Sequence, residues 1–325
     1  MPRWAVTQFR GAKLSDKKII AVLGATGAQG GGLVDAVLAD PDGPFRVRAI
    51  TRSATAPKAV ALADRGAEVV EASLEDEDSL FKAFEGAHGV FVVTNFWESF
   101  SADVELAQAA RAARAVKAAG VAHVVWSTLE DTRGVLDGRV PVLQERYTVP
   151  HFDAKAEADE FFRASGVPTT FLRTTFYWDN LAEHFKPQRG EDGKLVLTLP
   201  MGEAKLPGIA SEDIGRTAHG VFLAGDKHQD SVVSIAGEHL TGVEYAEAIA
   251  AALGEPVSYY PVPHDQFRAL GLPGGDELGN MFQFYTEGER DFVGARDLDL
   301  VRALNPRLKN FRTWLDEHIA EVKSA

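Results

Sequence analysis

The chain has no cysteine. Disulfides, thiolate nucleophiles and Cys-ligated metals are thereby excluded, and a cytoplasmic location is the simplest expectation. Long apolar runs are missing as well. No stretch approaches the ~18 to 20 uninterrupted apolar residues that a membrane span requires, so no membrane partner is expected. The first sixteen residues, MPRWAVTQFRGAKLSD, lack the continuous apolar core and small-residue cleavage site of a secretory signal. They are expected to form a flexible extension. Positive charge is in deficit: 34 Lys and Arg stand against 47 Asp and Glu, a net charge of −13. Such a protein repels phosphate backbones at long range, which disfavours direct nucleic-acid binding, though a local pocket field can still hold an anionic cofactor. Nine histidines are present, but none in an H-x-x-x-H or H-E-x-x-H arrangement, and there is no G-x-S-x-G elbow. A zinc site and a hydrolase triad therefore lack their residues.

What remains is an ordinary globular composition. Apolar residues make up 45% of the 325 and charged residues 25%, enough for one large α/β domain with a smaller lobe. Short apolar runs alternate with amphipathic stretches from residue 18. Strands are expected at Lys18–Gly24, Phe45–Arg52, Glu68–Glu71, Gly89–Thr94, Val121–Ser127 and Val167–Arg173. Helices are expected at Ala28–Asp40, Pro57–Arg65, around Ser79–Phe84, at Ala102–Ala119 and from Pro150 to about Ala164. This rhythm predicts a doubly wound, Rossmann-type parallel sheet covered on both faces. Thr132–Tyr147 reads as a polar loop. The sheet domain is expected over residues 17–174, with parts of 211–236 (a helix at Ser211–Leu223, a strand at Val232–Ile235) folding back onto it. A smaller C-terminal α/β lobe for substrate or partner takes residues 175–325.

Between the first strand and first helix lies GATGAQG: Gly24, Ala25, Thr26, Gly27, Ala28, Gln29 and Gly30. Gly24 permits the turn off the strand, Gly27 allows backbone to approach a pyrophosphate, and Gly30 lets the helix pack close to the sheet. The helix N-terminus then offers free N–H groups and positive dipole to phosphate. The second strand ends in Thr51 and Arg52, and no Asp or Glu lies between Phe45 and Ala63. An acidic residue there would hold a ribose 2′-hydroxyl. Arg52 instead offers a planar cation suited to a 2′-phosphate, which favours NADP(H) over NAD.

Several segments together resemble the NmrA-like branch of the atypical short-chain dehydrogenases, and most of all its HSCARG-type NADPH sensors. They are GATGAQGG (24–31), Thr51 with Arg52, TNFWES (94–99), HFDAKAE (151–157), FYWDNL (176–181) and NMFQFY (280–285). The resemblance implies that Thr26 to Gln29 wrap the pyrophosphate and that Arg52 meets the 2′-phosphate. It implies that Thr94, Asn95 and Phe96 line the ribose side, and that Lys155 reaches the nicotinamide ribose. Tyr177, Trp178, Asp179 and Asn180 would flank the nicotinamide end. A homodimer is also what this family suggests. The chain departs from the sensors at Ser73, Leu74, Ala107 and Ala110, each change removing a polar contact near the cofactor.

Active short-chain dehydrogenases pair a tyrosine with a lysine one helical turn on, the lysine lowering the phenol pKa for proton transfer. Here Lys155 is present and Ser127 fits the accompanying serine, but the tyrosine position is His151. Histidine can carry a proton near neutral pH, though its ring is shorter than a phenol; the alternative is a structural residue near a helix start. Two functions follow. The first is a regulatory redox sensor, lacking the usual tyrosine, whose NADP(H) occupancy shifts a conformation and a protein-partner interface. The second is an NADPH-dependent reductase of a small quinone, carbonyl or imine, with Lys155 and His151 as catalytic groups.

Overall fold

The protein is described from a computed structural model over residues 17–323; the expected N-terminal extension lies outside the described residues. The first half alternates strand and helix: β1 (Lys18–Val22), α1 (Ala28–Leu38), β2 (Phe45–Thr51), α2 (Pro57–Asp64), β3 (Glu68–Glu71), α3 (Glu77–Phe84), β4 (Ala87–Val92), α4 (Ala102–Ala118) and β5 (His123–Thr128). Next come α5 (Arg133–Leu136), α6 (Pro150–Ser165), β6 (Thr169–Arg173), β7 (Phe176–Tyr177), α7 (Asn180–Glu183), β8 (Gln188–Arg189), β9 (Leu195–Thr198) and β10 (Lys205–Ile209). The chain continues through α8 (Ser211–Leu223), β11 (Val232–Ser234), β12 (Glu238–Thr241), α9 (Gly242–Leu253), β13 (Val257–Tyr260), α10 (His264–Arg268), α11 (Gly275–Glu287), α12 (Glu289–Gly294), α13 (Leu298–Leu304) and α14 (Phe311–Val322).

Seven strands form one parallel sheet in the order β11-β6-β5-β4-β1-β2-β3. The order reverses between β1 and β4, and in such sheets ligands sit in the crevice beyond the strand C-termini at that reversal. Ile19 to Val22 of β1 and all six residues of β5 are buried. Burial on both faces explains why these strands read as continuous apolar runs rather than alternating ones. One face packs on α3, α4 and α6 through Leu80, Phe84, Ala109, Ala158 and Phe162. The other packs on α1, α8 and α13 through Leu33, Val34, Ile214, Val221 and Val301.

Helices α1 and α8 meet backbone to backbone. A Cβ at Gly215 would stand 2.1 Å from the Leu33 amide nitrogen, and one at Gly32 would stand 2.1 Å from the Glu212 carbonyl oxygen. Only glycine fits either position. β11 pairs with β6 as the last strand of the sheet.

The C-terminal lobe carries two small sheets, β12-β10-β7 and β13-β9-β8. Its core is aromatic: Trp178, Tyr245, Phe282, Phe311 and Trp314 are all buried. Leu129, Leu136, Val149 and Phe152, from the chain before β6, also pack into it. The segment read as a polar loop from Thr132 is therefore partly anchored and contains the single turn α5. The cause is Asp153, fully buried in the first turn of α6. Its carboxylate accepts from Thr132 N and Oγ1, Thr148 N and Oγ1, and Val149 N at 2.7–3.1 Å.

Candidate cofactor and catalytic site

The site begins at the β1–α1 turn. Gly24 has φ of +65°, a conformation L side chains rarely adopt. A Cβ at Gly30 would lie 2.4 Å from the Gly24 carbonyl oxygen, so the helix starts flush against the turn. Gly27 is the α1 N-cap and supplies no side-chain cap. Among the described residues no side chain caps the first-turn amides of Ala28 and Gln29, and such amides have no intrahelical partner. Gly24, Gly27 and Ala28 are exposed while Ala25 is buried beneath them. This cradle fits a dinucleotide diphosphate.

Gln29 turns its side chain across the sheet's C-terminal edge. Its Nε2 donates to the Tyr177 hydroxyl at 2.6 Å, and its Oε1 accepts from Ser127 Oγ at 2.8 Å. The β1–α1 turn, the end of β5 and the start of the C-terminal lobe are thus joined by one amide. Burial raises the Tyr177 phenol pKa, keeping it a neutral hydroxyl.

Lys155 lies one turn behind the cleft and faces inward. Its Nζ donates to the Thr94 carbonyl oxygen at 3.1 Å and to Thr94 Oγ1 at 2.7 Å, and sits 2.8 Å from Glu105 Oε1. Thr94 Oγ1 donates to the same carboxylate oxygen at 2.6 Å. Thr94, Glu105 and Lys155 are all buried, and the Trp126 ring covers the ammonium at 5.1 Å. A buried ammonium needs a compensating charge, and Glu105 provides it from α4. Thr94 therefore reaches the site as part of this triad.

His151 sits one helical turn before Lys155 and is also buried. Its Nδ1 lies 2.6 Å from Glu277 Oε1, and its backbone N–H donates to the same oxygen at 2.7 Å. An ionised carboxylate only accepts, so Nδ1 carries the hydrogen and Nε2 is left as the free ring nitrogen. The Trp97 ring stands over the imidazole with centroids 4.8 Å apart, and Phe96 and Phe152 close two further sides.

Arg52 emerges at the end of β2 and is mostly exposed. Its Nη1 pairs with Glu98 Oε2 at 2.8 Å. Glu98 ends a short 3-10 turn, Phe96–Glu98, whose N-cap Asn95 accepts from the Trp97 amide. The remaining expected residues diverge. Trp178 points into the lobe core, where its Nε1 donates to the Tyr245 hydroxyl at 3.0 Å. Asp179 caps α8, accepting from Ser211 N at 3.0 Å and Oγ at 2.8 Å. Their side chains are committed to structure because the chain leaves the main sheet after β6 and β7 joins the separate sheet of the C-terminal lobe. Asn180 opens α7 and is half-buried.

The NmrA-like family model matches residues 16–315. The chain belongs to the NmrA-like family. Among its relatives, the NmrA-like oxidoreductase malD of Malbranchea aurantiaca is 30% identical over 319 residues, covering 90% of this chain and 91% of malD. Two solved structures share the fold. NmrA, a negative transcriptional regulator solved with NADP, superposes with a TM-score of 0.73 at 24% identity, over 93% of this chain and 95% of its own. The NADPH-dependent quinone oxidoreductase QOR2 of Escherichia coli, solved with NADPH, gives 0.72 at 23%, over 92% and 99%.

Three residues of this NmrA-like protein were not anticipated from sequence: Glu98, Glu105 and Glu277. Glu105 left a readable signal. It falls on the apolar face of α4, three and four residues from Ala102 and Ala109, where a lone carboxylate demands a buried partner. Glu98, in an exposed turn, left none, and Glu277 sits in the first turn of α11, where an acidic residue is ordinary.

Proposed function

We propose that this chain binds NADP(H) at the β1–α1 turn and Arg52, and reduces a small quinone, carbonyl or imine. The observation that carries the reading is the 2.6 Å contact between His151 Nδ1 and Glu277. It restores an oriented, proton-bearing group where the short-chain dehydrogenase pattern has tyrosine. When bound, NADPH would supply hydride. The chain's part is the proton. His151 donates a proton from Nε2 to the substrate oxygen or nitrogen, while Glu277 holds Nδ1–H and fixes the ring's orientation. Lys155, paired with Glu105 and Thr94, acts as a fixed ammonium just beyond the end of β4 rather than as a mobile base. Kinship with NmrA-like oxidoreductases such as malD supports the same reading.

The test follows NADPH absorbance with a panel of quinones, aldehydes and imines. Turnover is expected, and His151→Phe should lower kcat by ~10²-fold or more for carbonyl and quinone substrates. Absence of turnover across the panel, or an unchanged kcat in His151→Phe, would end this reading.

One observation favours a second reading, a cofactor-responsive regulator. Glu98 already holds the guanidinium that a 2′-phosphate would use, and the same turn carries Trp97 against His151. Cofactor arrival would then compete with an internal anion and move the turn. A change in protease sensitivity or assembly state with NADPH, without turnover, would select this reading over the first.

A further inference from the structure

A cavity of about 250 Å³ lies where the loop between α13 and α14 meets the turn before β12. Arg302, Arg307, Lys309, Asn310 and Thr313 line it, together with backbone at Gly237. No residue of the β1–α1 turn lines it, nor do Arg52, His151 or Lys155. Three of the lining residues are cations and none is acidic. The chain carries 47 acidic residues against 34 Lys and Arg, so a wall of this sign stands against the field of the rest of the molecule.

The three cations differ in how they are held. Lys309 lies between Glu212 and Glu317. Burial alone would depress its pKa, but those two carboxylates outweigh it and hold the ammonium above its ordinary value. Lys309 is thus charged and compensated. Arg302 pairs with Asp299 at 3.1 Å, both of them exposed, and such pairs contribute little. Arg307 is exposed and has neither a carboxylate partner nor a side-chain hydrogen bond among the described residues. That is unusual in this molecule. Apart from Arg173, half-buried at the end of β6, every other described arginine is paired with a carboxylate. The charge of Arg307 is felt at His219, whose pKa is lowered by burial, raised by Asp40 and lowered again by this guanidinium.

The loop that carries Arg307 is fixed in place. Asn305 is buried; it donates from Nδ2 to Asp213 Oδ1 at 3.0 Å and accepts from Arg307 N at 3.2 Å. Lys309 N donates to Asp213 Oδ2 at 2.9 Å, and Asp213 is itself fully buried in α8. Asn310 caps α14, its Oδ1 accepting from Thr313 N at 2.8 Å. Pro306 precedes Arg307 and narrows the backbone further. A guanidinium on a backbone already ordered loses less freedom when it binds.

We propose that this cavity is a second anion site, which binds the phosphate monoester of a small molecule through Arg307, with Arg302 turning to it from Asp299. The planar fork of Arg307 matches two phosphate oxygens at once, which an ammonium does not. Lys309, fixed by its two carboxylates, forms a wall beside the phosphate. The volume sits below the roughly 300–1,000 Å³ of pockets for drug-sized ligands, so the site admits a phosphate and a few atoms beyond it. It stands apart from the proposed cofactor site and does not depend on whether the chain is a reductase or a regulator.

The test is a phosphorus NMR titration of the 325-residue protein with glycerol 3-phosphate and, separately, with inorganic phosphate, at neutral pH. Both are expected to bind with about millimolar affinity, and the ester at least as tightly as the free ion. Arg307→Ala should weaken both by about tenfold or more, the loss of a charge-assisted contact. Arg307→Lys keeps the charge without the fork and should recover only part of that loss. Because the Arg307 side chain makes no internal bond, neither substitution threatens the fold, and an unchanged melting temperature confirms this. Repeating the series in Arg52→Ala removes any phosphate held at the proposed cofactor site, and the effect of Arg307→Ala should persist there. Wild-type affinity in Arg307→Ala, loss of that effect in the Arg52→Ala background, or displacement of the ester by equimolar acetate would overturn the proposal. So would binding of inorganic phosphate without binding of the ester.

Discussion

Arg52 and Glu98 hold one another across the mouth of the cofactor cleft, 2.8 Å apart and both largely solvent-exposed. The guanidinium expected to receive a 2′-phosphate is thus engaged by a carboxylate 46 residues further along the chain. Exposed pairs of this kind contribute little, about 0.2–1 kcal/mol. Glu98→Gln should therefore raise NADPH affinity by about threefold and leave NADH affinity unchanged. Arg52→Ala should cut NADPH affinity by about ten- to a hundredfold, the loss of a charge-assisted contact. Both are read by calorimetry with the two cofactors. An unaltered NADPH-to-NADH ratio in Arg52→Ala would remove Arg52 from the site.

The buried Lys155–Glu105 pair makes a stability prediction separate from activity. Lys155→Met strips the partner from a carboxylate that is 1% exposed. Breaking such a pair costs about 3–5 kcal/mol, so the melting temperature should fall by several degrees. Adding Glu105→Gln to the same chain removes the orphaned charge and should recover most of the loss. A double variant as unstable as the single one would show that packing, not charge, dominates there. The double variant is also the cleaner background in which to ask whether Lys155 matters for turnover.

The contact between α1 and α8 predicts a steric outcome. Gly215→Ala places a methyl group 2.1 Å from the Leu33 nitrogen and 2.2 Å from the Gln29 carbonyl oxygen. Neither backbone atom can yield without moving α1, whose first turn is the proposed phosphate cradle. Destabilisation of about 3 kcal/mol or more is expected, together with weaker NADPH binding. Wild-type denaturant midpoints in this variant would contradict the close helix packing.

His123 sets an acid limit. It is buried against Phe222 and bonds through Nε2 to Thr170 Oγ1 at 2.9 Å. Thr170 Oγ1 donates onward to the His228 carbonyl oxygen at 2.7 Å, so it accepts from a neutral imidazole. Burial lowers the His123 pKa to about 4. The unfolded chain takes up this proton near its ordinary value of about 6.5, so stability is fully present above that pH and is lost as pH falls toward 4. The loss approaches roughly 3 kcal/mol at the lower end. Asp159 opposes it, because burial raises its carboxyl to about 6, and its contribution, present at low pH, fades as pH rises through that value. Urea unfolding at pH 4.5 and 7 in His123→Gln should show a smaller acid loss than in the wild type. An equal loss would exonerate His123.

Much of the sheet was readable because β1, β4 and β5 are buried on both faces, and such strands announce themselves as apolar runs bounded by glycine. Helix ends were readable to within a few residues, from Pro57 and Pro150 at helix starts and Ala-rich faces within. The turn at Thr132 was not, because its order comes from Asp153, a residue that looks like any polar position on a helix start. Trp178 and Asp179 share a motif with Tyr177 yet face another way. Three adjacent side chains at the exit of a strand point in different directions, and the spacing of letters does not say which one faces the cleft.

Local order fixed what the sequence alone could determine: a glycine turn followed by a helix start, a cation instead of an acid at the end of the second strand, a histidine one turn before a lysine. These depend on backbone conformation and i to i+4 geometry, which neighbouring residues dictate. Tertiary structure decided the state of each charged group. Glu98 reaches Arg52, Glu105 neutralises Lys155 and Glu277 orients His151. Coulomb and hydrogen-bond energies depend on distance through space, and only the folded chain brings together carboxylates and cations that lie 46 to 126 residues apart.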